Sequence, residues 1–143
     1  MKKITNSILW CLLMVIMTQC KQNISLADAE DLNGYWQIEK VEFTDGTVKE
    51  FRANPTVDYI FIEGDQGIRK KVRPQFDGTF TTSDSQENIT ITKEGESLVL
   101  IYETDMDRWK ENLLALEAEE FRIQNEEGVI YTYKKFEPIN INN

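Results

Sequence analysis

Histidine is absent from this sequence. That removes the usual general base near neutral pH, together with every histidine-containing metal site. Cysteine is nearly absent, with Cys11 and Cys20 alone in the chain. Cys11 lies in the apolar run of residues 8–17, so loss of that run would leave Cys20 by itself. A single cysteine forms no internal disulfide and no thiolate cluster. A Gly-rich phosphate loop, a nucleophile elbow and a triad order are also missing. Basic residues are few: 16 stand against 25 acidic ones. This balance argues against a nucleic-acid partner, because phosphate neutralisation needs a basic surface. No apolar run reaches the roughly 20 residues of a spanning helix.

These absences leave no catalytic residue, no metal site and no cofactor to name. A carboxylate pair can do acid–base work, but nothing distinguishes one pair among the many acids. Asp105-Met106-Asp107 lacks the spacing of a calcium loop and reads as an exposed acidic turn.

What is present begins with an address. Lys2 and Lys3 precede the apolar run of residues 8–17, and the pattern is that of a signal-peptide core. Met17-Thr18-Gln19-Cys20 follows it and resembles a bacterial lipobox, with Gln19 and Met17 as departures from the usual residues. The resemblance implies a signal peptide over residues 1–19, lipidation at Cys20 and a membrane-anchored lipoprotein of the bacterial cell envelope. Its expected place is the outer membrane, facing the periplasm or the cell surface. The rival is cleavage after Ala29, since Ala27-Asp28-Ala29 fits the small-residue rule. Removing residues 1–19, whose charged members are Lys2 and Lys3, takes the net charge from −9 to −11. The remaining length suits one domain with one core. Residues 20–31 are polar without a period and are expected to form a flexible tether.

Residues 32–43 read as the first strand. Trp36 and Ile38 share a face, whereas Val41 and Phe43 lie on the opposite parity. Either a β-bulge shifts the phase or the strand is buried on both faces. Behind it, acid–glycine pairs recur at Asp45-Gly46, Glu63-Gly64, Asp77-Gly78, Glu94-Gly95 and Glu127-Gly128, marking tight hairpins. Between them stand β-rich runs at residues 57–63, 68–74, 79–82, 89–93 and 98–103. Residues 105–120 are ambiguous. Trp109, Leu113, Leu116 and Glu120 suit a helical face, but a strand over 109–116 with a turn at 117–119 fits the surrounding hairpins. Phe121 and Ile123 begin a last hairpin; Val129, Tyr131 and Tyr133 return on one face, and Pro138 ends it before a polar tail at 139–143.

The sum is an all-β chain: an antiparallel up-and-down β-barrel of about eight strands over residues 32–138. Gly34-Tyr35-Trp36 resembles the Gly-x-Trp signature at the first strand of lipocalins and related calycin barrels. Tyr131-Thr132-Tyr133-Lys134-Lys135-Phe136 resembles the last strand of small bacterial lipocalin-like lipoproteins. The chain departs from the lipocalin pattern in having no Thr-Asp-Tyr motif and no clear long helix after the barrel. The resemblance implies binding of a small hydrophobic or amphipathic ligand.

Candidate ligand-binding residues follow. Trp36, Tyr59, Phe61, Tyr102 and Tyr133 can line a cavity or simply fill the core. Arg69, Lys71 and Arg73 share one strand face. That face is expected to be solvated, with Ile68, Val72 and Pro74 inward, because unpaired charges in a dry interior are costly. Turned inward instead, it would form a polar floor for an anionic headgroup. Besides ligand binding, two other functions remain open: an envelope interaction module with a filled barrel, acting on a protein partner of unknown kind, and an enzyme, which the missing histidine disfavours.

Overall fold

The computed structural model describes residues 23–52 and 54–137. Cys20, the expected signal segment of residues 1–19, Pro138 and the polar tail lie outside the described residues. Nine antiparallel strands follow a short 3₁₀ segment at Leu26–Leu32: β1 Gly34–Glu42, β2 Val48–Glu50, β3 Val57–Glu63, β4 Gln66–Pro74, β5 Phe80–Glu94, β6 Ser97–Glu103, β7 Arg108–Leu116, β8 Glu120–Asn125 and β9 Ile130–Lys135. Each strand from β3 to β9 pairs with the next, and β9 returns to β1, which also pairs with β3. This closes an eight-strand barrel of lipocalin-like type. Closure removes the unpaired edges that an open sheet would expose. β2 lies outside the ring as an extra strand on the far half of β1.

The phase change in β1 is a bulge. Its register on β9 shifts between Ile38 and Lys40, so Trp36, Ile38 and then Val41 turn inward. β7 resolves the ambiguous stretch as a strand by the same device. Trp109, Glu111 and Leu113 face Tyr102, Leu100 and Leu98, and a shift between Leu113 and Ala115 brings Leu116 inside. Helical spacing in the sequence was thus a strand with a bulge.

Three expectations need correction. Residues 20–31 are not all tether: Leu26–Leu32 is ordered, and Ile24, Ala29 and Leu32 are buried in the core. Ser25 and Asp28 form a capping box at its start. The indole Nε1–H of Trp36 donates to the Leu32 carbonyl at 2.7 Å, and the Asn33 amide bonds both the N–H and the carbonyl of Ile62. The segment therefore plugs one end of the barrel with apolar side chains. Second, the runs at 79–82 and 89–93 belong to one strand, β5. Third, β2 went unread because three exposed residues carry no burial pattern.

Gly67 marks a close approach. A Cβ there would stand 2.4 Å from the Phe61 carbonyl oxygen and 2.5 Å from Ile62 Cδ1. The lack of a side chain lets β4 seat against β3 opposite Ile62.

Candidate functional site

The barrel interior has two halves. Toward the plugged end, Leu32, Trp36, Ile60, Ile62, Leu98 and Phe121 are fully buried and fill the space. Trp36 meets Phe121 edge-on at 4.8 Å, and Phe121 stacks on Tyr133 at 4.6 Å. Trp36 and Tyr133 thus act as core in this half.

The other half holds charge. Arg69 is inward, opposite Ile60, and only 8% exposed. Its guanidinium carbon lies 4.1 Å from the ring centroid of Tyr102. Its Nε donates to Glu87, and its Nη1 is 3.8 Å from Glu111 Oε2. The Tyr102 hydroxyl bonds Glu111. Burial pushes the Glu111 carboxyl above its ordinary range, against the pull of Arg69 and Tyr102. Glu111 Oε2 makes no hydrogen bond. Burial also pushes the phenols of Tyr102 and Tyr133 well up, so both stay neutral. Nearby, Lys71 Nζ is 2.6 Å from the buried carboxylate of Asp58.

The basic strand face is therefore not an outer wall, although Lys71 and Arg73 stay exposed. Arg69 and Lys71 stand on the inner face, opposite Ile60 and Asp58, while Val72 is buried opposite Val57 on the other parity. The interior accepts Arg69 because two carboxylates and an aromatic face meet it. Lys71 and Arg73 reach the rim opposite the plug, where they line a cleft of about 450 Å³ with Thr56, Thr81, Thr82 and Ser85. Among the described residues no carboxylate lines that cleft, although Asp58 holds Lys71.

Tyr59 and Phe61 are corrected. Asp58, Ile60 and Ile62 take the inner parity, so Tyr59 and Phe61 face the outer wall. Phe61 is exposed there. Tyr59 packs on Tyr35 at 5.0 Å, and Tyr35 stacks on Phe80 at 4.2 Å. The β4–β5 hairpin thus lies against an outer aromatic cluster. Of the eight candidates, Arg69 and Tyr102 meet inside, Lys71 and Arg73 sit at the rim, Trp36 and Tyr133 are packed core, and Tyr59 and Phe61 lie outside. Asp58, Glu87 and Glu111 were missed. For Asp58 and Glu111 a signal existed: each shares parity with inward apolar neighbours, Ile60 and Leu113.

The lipocalin-like domain family profile matches residues 32–140. The chain belongs to the lipocalin-like family. The lipocalin-like fold suggests binding of a small ligand, and a hydrophobic one is consistent with it. Among solved structures, a lipocalin-like protein from Bacteroides uniformis is 17% identical, covers 74% of this chain and 99% of its own, and superposes with a TM-score of 0.48. An uncharacterized protein from Bacteroides eggerthii is 11% identical over 73% of this chain and 99% of its own, with a TM-score of 0.47. Apocrustacyanin C1 is 9% identical over 80% of this chain and 66% of its own, with a TM-score of 0.46. No curated protein matches this chain.

Proposed function

We propose that this lipocalin-like protein is an envelope-anchored lipoprotein that takes a small amphipathic ligand at the rim opposite the plug. The observation that carries the reading is the rim cleft in which Arg73 and Lys71, the latter paired with Asp58, stand among hydroxyls in a chain with a large acidic surplus. An anionic head would meet Arg73, the Asp58-paired Lys71 and four hydroxyls there, and the half-buried Trp109 stands in the same half of the barrel for an apolar tail.

The anchor reading rests on Cys20. Cleavage after Ala29 would delete Ile24 and Ala29, which are buried in the core; processing at Cys20 keeps both. Lipid on Cys20 would hold the plugged end toward the membrane, since the buried segment follows it closely, and the rim would face away.

Ligand binding is tested by titrating the full-length protein with dodecanoic acid and with dodecanol, following tryptophan fluorescence. The acid is expected to bind at least about tenfold tighter than the alcohol, and the double variant Lys71→Ala/Arg73→Ala to erase that preference. Equal binding of both compounds removes the anionic-head reading. For the anchor, wild-type protein is expected to incorporate labelled palmitate and Cys20→Ser to lose it; unlabelled wild type overturns lipidation.

A second reading, an interaction module with a filled barrel, has its own observation. Phe76 and Met106 are 96% and 95% exposed at the tips of the β4–β5 and β6–β7 hairpins, both at the rim end. If neither compound binds, these tips become the place to look for a partner.

A further inference from the structure

The outer wall carries a cleft of about 840 Å³, independent of the rim. Its floor is the outer face of β1, β8 and β9, and Phe51 borders it where its N–H extends the β2 pairing by donating to the Glu39 carbonyl at 2.8 Å. Lys40, Glu42, Phe51, Arg122, Thr132 and Lys134 are among its lining residues.

Three buried polar atoms in this cleft lack a hydrogen bond: Glu42 Oε2, Arg122 Nε and Thr132 Oγ1. Glu42 Oε2 has Lys40 Nζ at 3.1 Å and Arg122 Nη2 at 3.6 Å, so its charge is compensated although no hydrogen bond of proper geometry forms. Thr132 is 4% exposed and faces the cleft with an unpartnered hydroxyl. A buried hydroxyl without a partner is costly, and valine would fill the same space without that cost. The side chains above it are movable, as Lys40, Glu42 and Arg122 are each about a third exposed. Two unmet groups, Thr132 Oγ1 and Arg122 Nε, converging beside the Glu42 carboxylate make a built site rather than a chance groove.

The chemistry of the occupant follows by elimination. Five cations and four carboxylates line the cleft, so neither charge sign is selected. An apolar ligand would strand those groups. A peptide in strand form needs a free sheet edge, whereas this floor is a sheet face. What remains is an uncharged molecule that both donates and accepts. Adjacent hydroxyls would donate to Glu42, accept from Arg122 and meet Thr132, and Phe51 would take the apolar face of a ring. We propose that the outer-wall cleft over Thr132, Glu42 and Arg122 binds a neutral saccharide.

The test is calorimetric titration of the full-length protein, in detergent without sugar headgroups, with maltotriose, with chitotriose and with inorganic phosphate. At least one saccharide is expected to bind, and phosphate not. Thr132→Val and Phe51→Ala are each expected to weaken that binding about tenfold or more, while Lys71→Ala/Arg73→Ala leaves it unchanged. Phe51→Ala lies off the barrel ring and guards against a folding defect at Thr132. Failure of both saccharides to bind, binding of phosphate instead, or undiminished binding in both variants overturns the proposal. None of these outcomes bears on the rim cleft, so the two readings stand or fall separately.

Discussion

Arg69 lies over the face of Tyr102, with its guanidinium carbon 4.1 Å from the ring centroid, inside a barrel wall. The contact is held by Glu87 on one side and Glu111 on the other. Together the four residues divide the packed half of the interior from the rim. A lone cation at this depth would be expelled; a cation with two carboxylates and an aromatic face is retained.

Removing the cation alone should therefore be severe. Arg69→Met keeps much of the volume but leaves Glu87 and Glu111 without their common partner. Loss of one member of a buried pair costs about 3–5 kcal/mol. Urea denaturation should show that loss, and the triple variant Arg69→Met/Glu87→Gln/Glu111→Gln should recover at least half of it. A single variant as stable as wild type would mean that the network contributes nothing.

Glu111 should leave a mark on the pH dependence of stability. Burial raises its folded-state pKa above the ordinary glutamate value. The folded state therefore holds the proton longer than the unfolded state, and stability falls as pH rises from the unfolded pKa through the folded one. Glu111→Gln cannot titrate. Its stability relative to wild type should increase through that window and level off above it. A difference that does not change with pH, measured by denaturation from acid to neutral pH, would remove Glu111 as the source.

The plug should be measurable in the same way. Chains starting at residue 20 and at residue 30 differ by the burial of Ile24 and Ala29. Full burial of an aliphatic side chain contributes about 1.5–3 kcal/mol. The shorter chain should unfold at lower denaturant by about that amount. Equal midpoints would show that the segment before residue 30 adds no stability.

Gly67 should not tolerate even a methyl group. The clash is with the backbone carbonyl of Phe61 as well as the Ile62 side chain, so a rotamer change cannot relieve it. Gly67→Ala should cost about 1–3 kcal/mol, the usual range for overpacking, and lower the melting temperature. Gly46→Ala is a weaker control: nothing lies within 4 Å of its Cβ, and its φ of +87° supplies the only strain.

The barrel itself was legible in the sequence. Two-residue alternation and acid–glycine turns are local properties, and local sterics decide them: Gly64, Gly78 and Gly95 do take positive φ at hairpin turns. Gly34 and Trp36 likewise announced the first strand. Which face of a strand looks inward was less secure, because a single bulge reverses it and register is settled only by pairing. β4 runs on β3 without a shift, and its pairing with Asp58 and Ile60 turns the basic face inward: Arg69 is buried, while Lys71 and Arg73 stay exposed at the rim. Tyr59 and Phe61 moved the other way, displaced from the interior by Asp58, Ile60 and Ile62. The buried network of Arg69, Glu87, Tyr102 and Glu111 draws one residue from each of β4, β5, β6 and β7. Its charges are acceptable only together, since each compensates another across strands far apart in the chain. Local patterning was enough for the all-β class and the turns; which charges could lie inside depended on the pairing that closes the barrel.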